Sequence, residues 1–207
     1  MKETSLWDMF LMGGFIMWPL LICSIVAMAI VAERLWVLRS GNVIPKHLVS
    51  QVWGWIKSHQ MDAKKIKQIK ATSPLGRVIA SGLVNAKHGR AVMKESINDV
   101  LDHEIHEMER FLNALGSIAT ITPLLGLLGS VIGMMEMFST LMVNGTGDGS
   151  ALAGGIAIAL VTTAMGLFIA IPSLFCYRFM LRRVDDLAVF MEQETIKLVD
   201  ALYDEKE

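Results

Sequence analysis

Hydrophobic residues along this chain are concentrated in three blocks that contain no charged side chain. The blocks cover residues 9–32, 111–135 and 149–177. Each block is longer than the roughly 20 helical residues needed to cross a hydrocarbon core of about 30 Å. The pattern therefore predicts an all-α integral membrane protein with three transmembrane helices, at residues 9–32, 111–141 and 152–177.

Two amphipathic patterns adjoin the second and third blocks. Apolar residues recur mostly at spacings of three to five from Val92 to Leu115, and an apolar stripe continues between charged residues from Leu181 to Leu202. No Gly or Pro separates the first pattern from the second span, so one continuous helix is predicted to run through both. Such stripes must pack on another surface. We expect self-association into an oligomer to cover them, and packing against the chain's own segment 33–110 is the alternative.

The segment between the first two spans, residues 33–110, contains several residues that favour turns or helix ends. Gly41 and Pro45 follow the first helix, and the basic run "KKIKQIK" precedes the turn-prone "TSPLG". This composition favours several short helices over an independent domain.

The distribution of basic residues predicts the orientation of the spans. Residues 33–110 hold 13 of the 19 Lys and Arg residues and residues 178–207 hold 5, whereas residues 136–148 hold none. The positive-inside rule places the basic segments in the cytoplasm. The N-terminus (1–8) and the hairpin (142–151) then lie on the outer, periplasmic side, and the C-terminal helix (178–207) is cytoplasmic.

Composition and short motifs exclude several other interpretations. A net charge of −1 does not favour nucleic acid as a partner. The small residues Ala27-Met28-Ala29 resemble a signal-peptide cleavage site, but the preceding segment lacks a basic start and its apolar run is long. Cys23 and Cys176 are predicted to lie at different depths and to form no disulfide. The sequon at residues 144–146 is a weak signal.

Small residues are frequent in the second and third spans and predict close helix packing. Gly129 and Gly133 form a GxxxG pattern, which lets two helix backbones approach each other in lipid. The predicted packing positions are Gly129, Gly133, Gly155 and Gly166, together with Pro123 and Pro172 near the cytoplasmic ends of the two spans.

Hydroxyl and carboxyl side chains in the same spans are candidates for a polar pathway. Ser130 and Thr163 each lie about 11 residues from the predicted hairpin, which puts both about 16 Å below the outer boundary. Thr162 adjoins Thr163. Hydroxyls in such helices commonly bond to their own backbone, and a channel lining is the alternative. Glu136 is an ionisable group inside a span and hence a functional candidate, although it lies near enough to the outer boundary to reach water.

No catalytic constellation is recognisable in the sequence. His103 and His106 in "DHEIHEMER" do not have the His-Glu-x-x-His spacing of a zinc protease, so a solvated helix face is favoured over a metal site. The chain is expected not to be an enzyme and to need no cofactor. A membrane metalloenzyme using these histidines is the remotest alternative.

The motif blocks "TPLLGLLGSVIGMM" and "GGIAIALVTTAMGLFIAIP" resemble those of the MotA/TolQ/ExbB proton channel family, most closely its ExbB-type members. The resemblance implies an inner-membrane oligomer, a pentamer around a dimer of a single-span ExbD-like partner. Such complexes use the proton motive force to energise a TonB-like protein, and the partner supplies a membrane aspartate. A TolQ-type stator for envelope maintenance and a non-conducting assembly scaffold are the alternatives.

The resemblance also implies roles for individual residues. Thr163 matches the family threonine that faces the channel, and Ser130 occupies the corresponding position of the second span. Ile158 stands where ExbB-type members can carry a glutamate. We expect Glu136, at nearly the same depth on the adjacent helix, to take over part of that role.

Overall fold

The computed structural model describes residues 13–58, 62–144 and 149–204, and every regular element in them is helical. A 3-10 helix, Gly14–Ile16, precedes eight α-helices in the described ranges. These are α1 Met17–Val37, α2 Ser40–Val43, α3 Lys46–Lys57, α4 Ala63–Thr72, α5 Pro74–Asn85, α6 Arg90–Glu109, α7 Leu112–Asn144 and α8 Gly149–Asp204. The prediction of an all-α protein is confirmed.

Among the residues that the structure describes, three helical stretches are long and apolar enough to cross a membrane, within Gly14–Val37, Arg90–Met142 and Ala153–Tyr203. Each of them overlaps one of the three predicted spans. The predicted N-terminal segment 1–8, residues 145–148 of the hairpin and the Gly145-Thr146 part of the sequon lie outside the described residues.

The chain divides into two compact units. The first, called here the span unit, consists of Met1–Ala32 and Phe111–Arg178. Its core forms where the start of α1 meets the other two span helices, because Ile16, Met17 and Leu20 are buried together with Ile169. Cys23 and Cys176 are free thiols in this unit.

Many large apolar side chains remain on the outside of the span unit. The most exposed on α7 and α8 include Leu124, Leu127, Phe138, Leu160, Phe168 and Phe175. A soluble protein rarely leaves such a continuous apolar surface in contact with water. This surface is therefore suited to contact with lipid or with other apolar helices.

The second unit, called here the flanking unit, consists of Glu33–Arg110 and Phe179–Glu207. Its helices α4 and α5 begin at capping residues, since the side chains of Asp62 and Ser73 accept hydrogen bonds from the backbone N–H groups of Ala63 and Gly76. Short helices were predicted in the basic segment, and the structure has them. At the turn-prone "TSPLG", α4 ends at Thr72 and α5 begins at Pro74.

The amphipathic stripes are buried within the chain, which makes the expectation that self-association covers them wrong. Both stripes contribute buried side chains to the flanking unit, namely Ile97, Leu101 and Met108 from α6 and Val184, Leu187 and Leu198 from α8. The alternative, packing against the chain's own segment, is correct. The physical reason is that α4, α5 and α6 fold back into one unit with the end of α8, so the chain supplies its own partner surface.

The prediction of one continuous helix from Ala91 into the second span is also wrong. Helix α6 ends at Glu109 and α7 begins at Leu112, because Phe111 adopts a left-handed conformation with φ 64°. Helices commonly end at a glycine in this conformation. Because position 111 is a phenylalanine, the sequence lacks the usual signal for a helix end. By contrast, α8 runs uninterrupted from Gly149 to Asp204.

Candidate functional site

Helices α7 and α8 approach each other along a line of glycines, called here the glycine seam. A Cβ atom built on Gly129 would lie 2.6 Å from Cβ of Thr162, and one on Gly166 would lie 2.6 Å from the carbonyl oxygen of Thr122. Real Cβ atoms do not tolerate such contacts. Both positions therefore require glycine for the helices to stay this close.

The seam continues toward the hairpin end of the two helices. A Cβ on Gly133 would lie 3.0 Å from the carbonyl oxygen of Gly155, and one on Gly155 would lie 2.6 Å from Cβ of Met137. The structure thus brings all four predicted packing glycines to one interface. Direct backbone contact of this kind is the usual way for span helices to associate without bulky side chains.

The two prolines lie inside these helices. Pro123 is within α7 and Pro172 within α8. Each removes one backbone N–H and so leaves the carbonyl four residues earlier without its helical donor. Hydroxyls beside the prolines bond along the helix, since Thr122 donates to the carbonyl of Ile118 (2.9 Å) and Ser173 to that of Ile169 (2.7 Å).

Ser130 and Thr163 meet at the edge of the glycine seam. Their hydroxyl oxygens form a hydrogen bond with each other, in which either can donate. Ser130 Oγ also lies 2.8 Å from the carbonyl oxygen of Ala159, and Thr163 Oγ1 lies 3.0 Å from the same oxygen. Both side chains are half-buried. Ser130 and Thr163, which were predicted to lie at equal depth, are in direct contact. Their hydroxyls also form hydrogen bonds with backbone carbonyls, as predicted.

Thr162 has a different environment from its neighbour. Its side chain is fully buried against Gly129, and its hydroxyl donates to the carbonyl of Ile158 at 2.9 Å within the same helix. The structure therefore places Thr162 inside the seam, where its hydroxyl also lies 3.2 Å from the carbonyl oxygen of Ala159 that Ser130 and Thr163 contact. Its hydroxyl is satisfied by its own helix and has no open approach.

The Ser130–Thr163 pair can transfer protons only in combination with another group. A hydroxyl both donates and accepts a hydrogen bond, so two linked hydroxyls and a water can pass a proton along. Neither hydroxyl ionises in the physiological pH range. A carboxyl group that approached the half-buried edge of the seam would supply a group that can gain and lose a proton.

Glu136 does not join this hydroxyl pair. Glu136 lies six positions after Ser130, which corresponds to about 120° around the helix. Its side chain is exposed and forms no ion pair among the described residues, while its backbone carbonyl accepts hydrogen bonds from Ser139 and Thr140 at 2.9 Å. Ile158 of α8, which is predicted to lie at nearly the same depth as Glu136, lies beside Gly133 of α7.

The two histidines of "DHEIHEMER" lie on the exposed side of α6. Within the described ranges, no group of three His, Cys, Asp or Glu side chains could hold a metal ion. Near His103, the same helix carries Glu104, which is buried and forms a two-point ion pair with Arg77. The hydrogen bond with Glu104 raises the pKa of Arg77 above its usual value, with burial opposing it and the charge of Glu104 adding to it.

Sequence reasoning missed this ion pair and the buried arginine Arg34. Arg34 donates to the backbone carbonyls of Glu107 and Met108, both at 3.2 Å, and its other nitrogens pair with Glu33. A signal for Glu104 existed, since it stands between Leu101 and Met108 on the apolar stripe of α6. No comparable signal marked Arg34, because its partners are backbone atoms more than 70 positions away in the chain.

Fold and site together define a membrane protein whose second and third spans form a close-packed pair with linked hydroxyls. Residues 70–193 match the model of the MotA/TolQ/ExbB proton channel family. The chain therefore belongs to the MotA/TolQ/ExbB proton channel family, and its general role is that of a subunit in an energy-transducing proton channel.

Individual relatives include proteins named ExbB and a protein named TolQ. The putative biopolymer transport protein ExbB-like 3 of Synechocystis is 32% identical over 165 residues, which cover 78% of this chain and 78% of that protein. Biopolymer transport protein exbB1 of Vibrio cholerae is 30% identical, covering 77% and 72% respectively. The Tol-Pal system protein TolQ of Haemophilus influenzae is 28% identical, covering 74% and 64%.

Proposed function

We propose that this chain is the channel-forming subunit of an ExbB–ExbD-like complex in the bacterial inner membrane. In this role it uses the proton motive force to energise a TonB-like protein for transport across the outer membrane, and it catalyses no covalent reaction itself. The observation that carries the proposal is the hydrogen-bonded Ser130–Thr163 pair at the half-buried edge of the glycine seam.

The distribution of polar groups supports a partner that carries the acid. The hydroxyl pair cannot titrate, and Glu136 points to another side of α7. An ExbD-like single-span protein would bring a carboxyl group to the hydroxyls. Each proton that moves down about 100 mV releases about 2.3 kcal/mol, which is enough to bias a conformational step of that partner.

The exposed apolar surface of the span unit supports assembly of several copies. A channel needs a closed wall, and one chain with three spans does not enclose a pore. We propose a homo-oligomer, a pentamer as in the family resemblance. The concentration of Lys and Arg in residues 33–110 and 178–207 supports a cytoplasmic position for both segments and for the C-terminus.

The test compares threonine variants in cells that depend on this complex for uptake. Thr163→Val is expected to abolish most proton-driven uptake, because valine keeps the shape and removes the hydroxyl that contacts Ser130. Thr163→Ser is expected to retain uptake. Thr162→Val is the matched control, since its hydroxyl is bonded within its own helix. Wild-type uptake in Thr163→Val cells that contain normal amounts of the protein would refute the proposal and favour a non-conducting scaffold.

Glu136 forms a separate arm of the same experiment. We propose that it contributes to the proton pathway at the outer end of α7. Glu136→Gln is then expected to lower uptake without abolishing it, because the hydroxyl pair remains intact. Unchanged uptake in Glu136→Gln cells, with loss of uptake in Thr163→Val cells, would remove Glu136 from the pathway.

A TolQ-type role in envelope maintenance is the second candidate, favoured by the similarity to the Haemophilus TolQ protein. Co-purification distinguishes the two roles. An ExbD-like and a TonB-like protein are expected to accompany the chain, and recovery of TolR- and TolA-like proteins instead would establish the second role. The mass of the intact complex gives the number of copies.

A further inference from the structure

A cavity of about 360 Å³ in the flanking unit combines three arginines with an apolar lining. The arginines come from the end of α1, from the residue before α2 and from the start of the α8 part of this unit. The lining residues are Arg34, Arg39, Arg183, Leu35, Leu38, Phe179 and Met180. Cationic groups and apolar groups thus face the same space.

The cavity carries an excess of positive charge. The guanidinium of Arg34 is balanced by the carboxylate of Glu33, at 2.8 Å. Arg183 donates to the hydroxyl of Ser40 and has no carboxylate partner among the described residues. Arg39 is exposed, and within the described ranges its side chain has no hydrogen-bond or ion-pair partner. Two positive charges therefore remain for an anion.

The apolar lining distinguishes this site from one for a small soluble anion. Leu35 is 50% exposed and Phe179 is 54% exposed, although both adjoin arginines. Along the chain, Arg34 follows the uncharged run 9–32 by two positions, and Phe179 follows the uncharged run 149–177 by the same interval. Arg34 and Phe179 therefore lie where the first and the third predicted spans leave the hydrocarbon core.

We propose that this cavity binds the headgroup of an anionic phospholipid. The lipid phosphate would accept hydrogen bonds from Arg39 and Arg183, and the acyl chains of the lipid would lie along Leu35 and Phe179. Basic pockets at the ends of span helices bind anionic headgroups in this way. The inference requires only that the chain crosses a membrane, and it holds for an ExbB-type and a TolQ-type role alike.

The test measures lipid binding to the full complex in detergent. The probes are phosphatidylglycerol and phosphatidylcholine with identical acyl chains, and native mass spectrometry reports how many of each the complex retains. We expect preferential retention of phosphatidylglycerol. Soluble glycerol phosphate is the third probe, and it is expected not to displace the retained lipid at equal concentration.

Two double variants test the location of the site. Arg39→Gln with Arg183→Gln should weaken phosphatidylglycerol binding by about fivefold for each arginine removed. The control, Arg178→Gln with Arg182→Gln, removes the same charge from exposed positions of α8 that do not line the cavity, and it should keep most of the preference. Arg39→Lys with Arg183→Lys should also keep it.

Several results would overturn the proposal. Equal retention of the two lipids would exclude a headgroup site, and displacement by glycerol phosphate would show that the cavity takes a soluble phosphate. An equal loss in the control variant would show general surface attraction only. If the Arg183 change disturbs folding, Arg39→Gln alone decides the question, because Arg39 is exposed and its side chain makes no hydrogen bond or ion pair among the described residues.

Discussion

Thr162 and Thr163 are adjacent in the chain and have different surroundings. The hydroxyl of Thr163 contacts Ser130 across the helix pair, whereas that of Thr162 bonds to its own helix while its side chain fills the space beside Gly129. The sequence predicts the depth of both residues, because depth follows from counting. Which of the two lies inside the seam depends on how α8 is rotated against α7.

Gly129 is expected to be indispensable for this seam. In the Gly129→Ala variant the new methyl group would overlap Thr162, so the helices must separate, and we expect a loss of about 1 to 3 kcal/mol in the free energy of unfolding. Thermal unfolding of the purified complex measures it. Gly154→Ala is the matched control on α8, since nothing lies within 4 Å of its Cβ position. A similar loss in both variants would contradict a specific role of the seam.

At the scale of elements, the joint between α6 and α7 differs most from what the sequence predicts. Two features lie together there. Phe111 has a positive φ, and Arg34 donates hydrogen bonds to the carbonyls of Glu107 and Met108 in the last turn of α6. A left-handed phenylalanine carries no recognisable signal, because the residue type disfavours the conformation that the surrounding structure imposes.

The strain at Phe111 predicts an unusual preference for glycine. Phe111→Gly should be about 1 kcal/mol more stable than Phe111→Ala, because glycine adopts a positive φ without steric cost. Comparing these two variants removes the effect of losing the ring. At Asn113, an exposed residue in the first turn of α7, the order should reverse, with alanine more stable than glycine. Chemical denaturation of the four variants measures both differences, and alanine being better at both positions would refute the inference.

At the scale of the whole molecule, the flanking unit is assembled from distant parts of the chain. Arg90 pairs with Asp200 at 2.6 Å, and the hydroxyl of Tyr203 donates to the carbonyl of Ala86 at 2.9 Å. Within the unit, the Arg77–Glu104 pair joins α5 to α6. Because the pKa of Arg77 is raised, its contribution to stability is fully present at neutral pH and is lost as the pH rises into the strongly alkaline range.

The end of α8 is therefore expected to stabilise a segment more than 100 residues earlier. A chain that ends at Lys197 loses the buried side chains of Leu198 and Val199, and we expect the flanking unit to lose roughly 3 to 6 kcal/mol. Limited proteolysis should then cut residues 46–110 much faster. A chain that ends at Asp204 is the control and should resist cleavage as the full chain does. Equal resistance of both shortened chains would show that α8 does not support this segment.

The sequence by itself determined the three spans, the all-helical class and the shared depth of Ser130 and Thr163. These properties follow from local composition and from the constant rise of a helix. Only the tertiary structure decided the break at Phe111, the burial of the amphipathic stripes within the chain and the pairing of Arg77 with Glu104. Each of these depends on helix rotation and on contacts between distant residues, which helical periodicity does not determine.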